Sequence, residues 1–123
     1  MRLNDPDFEI SFLEGVLKHR PNYIDALAPL AEAYTLRGLF KKGLEIDKRL
    51  ACLCKDDPVV YYNLACSYVL SGYTAKALTV LKRAVKLGFS DLTHLKKDPD
   101  LKSLHDYLPF QKWLAAATEK AQA

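Results

Sequence analysis

A chain of 123 residues, half of them hydrophobic and carrying a net charge of +3, has the length and apolar content of one ordinary domain with its own core, which argues against disorder. Basic and acidic residues are interspersed, so nothing in the charge balance demands a nucleic acid or a membrane surface as partner. Cys52, Cys54 and Cys66 are odd in number and lack Cys-x-x-Cys spacing, which disfavours a disulfide framework or a zinc site and favours free, partly buried thiols.

The amino terminus lacks the basic start and apolar run of a signal peptide, and no later run is long enough to cross a bilayer, so the expected location is the cytoplasm, away from any membrane. The initiating Met1 and the closing segment described below favour a complete protein. Asp5 caps a first helix that opens on Pro6, and Phe8, Phe12, Leu13, Val16 and Leu17 recur at helical spacing as its buried stripe. Pro21 stops that helix, and Asn22 is expected to cap the next, with Asp25 three residues on. This second helix should reach Arg37, with Pro29 as its one conflict: either the helix starts late or it is kinked there. From about Leu39 to Cys54 a third helix carries Phe40, Leu44, Ile46, Leu50 and Leu53. Asp57 and Pro58 repeat the cap-then-proline device and open the following hairpin. Gly38 and Gly72 end their helices, each free to take the left-handed conformation that turns the chain back. Beyond Gly88 come a short helical turn capped by Ser90, the run Asp98-Pro99-Asp100-Leu101, Leu104, and a last helix sealed by Phe110, Trp113 and Leu114. The Ala-rich tail from Ala115 is expected to fray.

Between Leu27 and Gly88 one pattern is written twice at an offset of 34 residues: Leu30 and Leu64, Ala31 and Ala65, Tyr34 and Tyr68, Gly38 and Gly72, Lys42 and Lys76, Leu44 and Leu78, Lys48 and Lys82, Arg49 and Arg83. That period, holding two helical patterns and a turn, has the length of a tetratricopeptide unit. Tyr61, Leu64, Ala65, Tyr68, Ala77, Leu81 and Ala84 fall at that family's spacing of aromatic, Leu, small, Tyr, small, large, small. Leu27, Leu30, Ala31, Tyr34, Gly43, Asp47 and Leu50 fill the same slots in the first copy, which departs from the pattern at Gly43 and Asp47. The chain therefore resembles the tetratricopeptide repeat family, and the run from Asp98 to Leu101 with Leu104, Pro109 and Phe110 resembles the closing segment of many bacterial members.

The resemblance implies an all-α fold: a right-handed α-solenoid of antiparallel helix hairpins forming a single domain over 1–123. Its parts would be a capping half repeat at 5–21, full repeats at 22–56 and 57–89, and a degenerate closing hairpin with a capping helix at 90–123.

No cluster of residues suggests chemistry. His19, His94 and His105 share no spacing; His19 lies in the last turn of a helix, where a cation favours the dipole, and the other two read as surface residues. Ser71 before Gly72 is not a nucleophile elbow, and the scattered glycines form no phosphate loop. The expectation is thus a non-enzyme without catalytic residue, metal, cofactor or small-molecule substrate. Lys41, Lys42, Lys48, Arg49, Lys76, Lys82, Arg83 and Lys86 lie on the second helices of the hairpins, interrupted by Glu45 and Asp47, and read as a solvated outer face rather than a nucleic-acid stripe.

What remains is binding. The resemblance implies a concave groove lined by the first helix of each repeat, a surface that takes a peptide or protein partner. Carried over slot by slot, its residues are Asp25, Ala28, Glu32 and Thr35 in the first copy, and Val59, Tyr62, Asn63, Cys66 and Val69 in the second. Of the Lys, Arg and Asn that grip a carboxylate in the family's charged groove, only Asn63 is matched, whereas Asp25 and Glu32 have the opposite sign. Tyr62, Cys66 and Val69 instead suggest an apolar anchor pocket, with Glu32 available to a basic residue of the ligand. The rival expectation is a self-assembling scaffold, a homo-oligomer joined through the apolar ends of the helical stack.

Overall fold

The computed structural model of the protein describes residues 5–122, and every regular element among them is helical. Residues 1–4 and residue 123, the ends of the expected domain and part of the stretch read for a leader, lie outside the described residues. The fold is all-α and solenoid-like, each helix packing on its neighbours in sequence within two compact units that divide between Asp56 and Asp57, where the two copies of the pattern meet. The first unit holds α1 (Pro6–His19), α2 (Ile24–Leu36) and α3 (Phe40–Leu53), with α2 packed against both others. The second holds α4 (Pro58–Leu70), α5 (Thr74–Lys86), α6 (Leu92–Lys97), a 3-10 turn (Pro99–Leu101), α7 (Lys102–His105) and α8 (Leu108–Gln122). There α4 packs on α5 and on the 3-10 turn, while α6 and α7 pack on α8.

In the first unit the Asp5 carboxylate accepts the Asp7 amide at 3.0 Å, so the predicted cap with Pro6 behind it forms. The expected stripe of α1 is narrower than its sequence suggests, the helix packing chiefly against α2. Leu13 is buried, Phe8 is half-buried, and Phe12 is 60% exposed with its ring stacked on Phe8 at 6.3 Å. Across the α1–α2 seam the Tyr34 hydroxyl donates to the Glu14 carboxylate at 2.5 Å.

Helix α2 starts well ahead of Pro29, so the late start is corrected: Pro29 lies within the helix, where its missing N–H leaves the Asp25 carbonyl without the donor that position would supply. Burial of Ala26, Leu27, Leu30, Ala31, Ala33 and Tyr34 along the same helix offsets a penalty of about 3 kcal/mol. The expected Asn22 cap is also corrected. Tyr23 is the N-cap and makes no side-chain cap bond, while the Asn22 side chain accepts Arg49 Nη2 at 3.4 Å and the Pro21 carbonyl accepts the same guanidinium. In α3, Leu44, Ile46 and Leu50 are buried as expected, but Leu53 in the last turn is 40% exposed.

Both hairpins reverse through the same bonds. Gly38 (φ 76°) lets Leu39 N–H reach Tyr34 O at 2.8 Å and its own N–H reach Thr35 O at 3.0 Å; Gly72 (φ 88°) does the same with Tyr73 to Tyr68 O and Gly72 to Val69 O. These are Schellman closures, which satisfy carbonyls a helix end would otherwise leave open. The apolar contact that accompanies such a closure is made in the second by the edge-to-face pair Tyr68 and Tyr73, at 6.1 Å. In the closing segment two expectations are corrected. Asp91 rather than Ser90 caps α6, its carboxylate accepting His94 N–H at 3.1 Å, and the Ala-rich tail stays helical to Gln122.

Gly43 sits where α3 runs close against α2. A Cβ there would lie 3.0 Å from Thr35 Oγ1 and 3.4 Å from the Ala31 carbonyl, tight enough that the neighbours would have to shift. Gly43→Leu is therefore expected to destabilise the protein by about 1–3 kcal/mol through overpacking, read as a lowered urea midpoint with the slope unchanged. An unchanged midpoint would contradict the tight packing of this seam.

Candidate functional site

The first copy of the candidate face is built by α2 alone. Successive residues of an α-helix turn by 100°, so Asp25, Ala28, Glu32 and Thr35 project within one quadrant, opposite the side that buries Ala26, Leu30 and Ala33. Asp25, Ala28 and Glu32 are exposed. Thr35 is half-buried, its hydroxyl turned back to donate to the Ala31 carbonyl at 3.0 Å. Asp25 also borders an open hollow of about 560 Å³ formed with Arg20, Pro21, Asn22, Tyr23 and Ile24, where the Arg20 guanidinium lies 3.8 Å above the Tyr23 ring.

The second copy differs. Val59 and Asn63 on α4 are exposed, but Tyr62, Cys66 and Val69 have relative exposures of 7%, 8% and 6% and belong to the core of their unit with Leu95, Leu101 and Leu104. The expected open anchor pocket on α4 is corrected accordingly. Its three apolar residues are covered by the chain's own closing segment, because Phe89, α6 and the 3-10 turn lie on the face whose counterpart on α2 is exposed.

Tyr62 is the centre of that cover. Its ring lies parallel to Phe89 at 4.5 Å, and its hydroxyl donates to Asp98 Oδ2. His94 Nε2 approaches the same oxygen at 3.2 Å, and the two rings are 5.6 Å apart. The other oxygen of Asp98 accepts Asp100 N–H at 2.9 Å and so caps the 3-10 turn. Asp98 is, with Asp47, a buried acid among the described residues, and these partners engage both of its oxygens. Burial, and then the bond to Asp98, hold the Tyr62 phenol far above its usual range. Burial and the nearby Asp98 charge raise the Asp100 carboxyl. At Tyr34, burial and then the bond to Glu14 push the phenol up to about 12.

The arrangement ties a buried tyrosine to a buried carboxylate, with the exposed His94 imidazole beside the carboxylate. His105 corrects the surface assignment, since it is half-buried with Nε2 2.9 Å from the Leu95 carbonyl. It borders a cleft of about 360 Å³ with Lys96, Phe110, Gln111, Leu114 and Ala115. His94 and His19 are exposed. Among the described residues no group of three or more His, Cys, Asp or Glu is placed to hold a metal ion, and no helix is long and apolar enough to cross a membrane. The role of Asp98 as a partner of Tyr62 was invisible to pattern reading. The Asp98-Pro99 pair spells a local cap, but nothing in it points to a tyrosine 36 residues earlier. No protein-family model matches the chain, and no curated protein matches it.

Removing the carboxylate should orphan the buried hydroxyl and the cap together. Asp98→Ala is expected to cost about 2–4 kcal/mol in urea unfolding, and Asp98→Asn less, because an amide oxygen still caps. Equal losses for the two would contradict the assigned pairing. Because the folded values of Tyr62 and Tyr34 are raised, their contribution is intact below the unfolded tyrosine value of about 10 and is lost as pH climbs above it. The urea midpoint should fall above about pH 10, and fall less steeply in Tyr62→Phe; parallel curves would exclude Tyr62 as a source.

Proposed function

We propose that this protein is a non-enzymatic interaction module of the tetratricopeptide type, which binds a segment of a partner protein along α2, the first helix of its first hairpin. The observation that carries this reading is the α2 face: Asp25, Ala28 and Glu32 stand exposed on one side of a helix whose other side is firmly packed. A rigid helix bearing two carboxylates two turns apart, with a small residue between them, suits an extended or helical segment that offers a basic residue to each acid and a close approach over Ala28. Val59 and Asn63 on α4 are exposed at slots of the same class in the second unit. Tyr62, Cys66 and Val69 are not, since the chain itself covers them. Tyr62 and Asp98 are buried and bonded to each other, which supports a packing role for that pair.

Photo-crosslinking tests it. Benzoylphenylalanine in place of Ala28 should give discrete adducts with a native partner, and Asp25→Lys with Glu32→Lys should abolish them while circular dichroism is unchanged. Adducts that survive the double reversal would remove the α2 face from the proposal.

A second reading, self-assembly, is favoured by one specific observation: α1 and α8 expose Phe12 at 60% and Leu108 at 56%. Light scattering over a concentration series should then show a mass that rises with concentration in the wild type and not in Phe12→Ser. A constant monomeric mass would eliminate this reading.

A further inference from the structure

The α4–α5 hairpin carries charge of one sign only. Residues 58–90 contain no Asp or Glu, and the four ionisable cations within them, Lys76, Lys82, Arg83 and Lys86, all sit on α5. The buried side of α5 is Ala77, Leu78, Leu81 and Ala84. By the 100° rotation per residue the exposed side places Lys82, Ala75, Lys86, Thr79, Arg83 and Lys76 within about a third of the circumference, and all six are exposed. Only small or cationic side chains occupy that arc. Among the described residues none of the four cations is in an ion pair. The counterpart helix α3 is different: it carries Glu45 and the buried Asp47 among its basic residues, and Lys48 lies 3.4 Å from Glu45. The two acids that interrupt the basic series in the sequence therefore both lie on α3, and the α5 arc is continuous.

Two of the cations are also held in place. Lys76 Nζ lies 5.3 Å from the centre of the Tyr73 ring and Arg83 Cζ 5.6 Å from that of Tyr61. Such contacts restrict long side chains before a partner arrives, which lowers the entropy that binding must remove.

We infer that the outer face of α5 is a second interaction surface, which takes an acidic helical segment of a partner protein. From Lys76 to Lys86 the arc runs about 15 Å along the helix. Carboxylates recurring every three or four residues on one side of a partner helix match that length and spacing. A single-stranded nucleic acid is the poorer fit. It needs a series of aromatic faces for successive bases, whereas the Tyr61 ring is half-buried beneath Arg83 and leaves the exposed Tyr73, itself against Tyr68 and Lys76, as one ring beside the arc. This surface lies on α5 alone and does not depend on the binding role proposed for α2.

The test uses the full chain and a fluorescein-labelled, alanine-based peptide with glutamate at every third or fourth position, titrated by anisotropy at low salt. Lys76→Ser, Lys82→Ser and Lys86→Ser together replace exposed side chains and leave Arg83 on its tyrosine, so circular dichroism should be unchanged. Binding is expected to weaken roughly tenfold, as the loss of three exposed charge pairs implies. A control triple, Lys18→Ser, Lys112→Ser and Lys120→Ser, removes the same charge from exposed positions off α5 and should stay within about twofold of the wild type. Equal weakening in both triples would reduce the effect to net charge and overturn the inference, as would no measurable binding of the peptide. An oligothymidylate of equal charge that binds the wild type more tightly than the peptide would overturn the choice of partner.

Discussion

The second unit depends on one buried polar contact, the hydroxyl of Tyr62 given to the carboxylate of Asp98. A carboxylate inside a small helical unit is tolerable only if its oxygens are engaged, and here one accepts from a tyrosine on α4 and the other from the amide of the turn that Asp98 itself caps, with the His94 imidazole of α6 3.2 Å from the first. The same bond decides where the closing segment lies. Leu95, Leu101 and Leu104 supply the apolar area, but leucines are satisfied by many arrangements. The directional bond to one oxygen fixes the 3-10 turn against α4 and, with Phe89 flat on the tyrosine ring, selects one of them.

That selection makes two copies of one pattern into different objects. At equivalent slots Ala28 and Tyr62, Glu32 and Cys66, Thr35 and Val69 face outward from a first helix by the same angle. In the first unit the residues are small, acidic or hydroxylic, and Ala28 and Glu32 are open to solvent. In the second they are large or apolar and are covered. Chemistry and cover agree at each slot, so the repeat supplies a geometry and the side chains decide whether it is used as surface or as core.

Much of this architecture was legible in the sequence. The offset between copies gave the helix pairs, and the glycines gave their ends, because a left-handed residue after a helix is a local requirement that one residue type meets cheaply. Asp5 with Pro6, and Asp57 with Pro58, marked helix starts for the same local reason. What escaped was set by contacts between distant segments. Asn22 looks like a cap until Arg49 of α3 competes for its oxygen, and Pro29 looks like a boundary until the burial around Leu27 and Leu30 outweighs one lost bond. Phe12 reads as core in a periodic pattern that cannot tell how many neighbours its helix has. Tyr62, Cys66 and Val69 share one side of α4 by their spacing, but no local signal shows that the chain returns to cover that side.

The glycine turns have a further consequence, for the order in which the protein folds. Helices joined through Gly38 or Gly72 meet across a few residues of chain, and contacts of such short range form fast because little loop entropy is lost in closing them. Tyr62 must wait for a partner 36 residues further along the chain. During synthesis both helix pairs can therefore assemble while the inner side of α4, with its tyrosine, cysteine and valine, is still uncovered. Between the emergence of Gly88 and that of Leu104 the nascent chain displays an apolar strip that the finished protein hides, and this is the interval in which it is most open to chaperones and to misassembly.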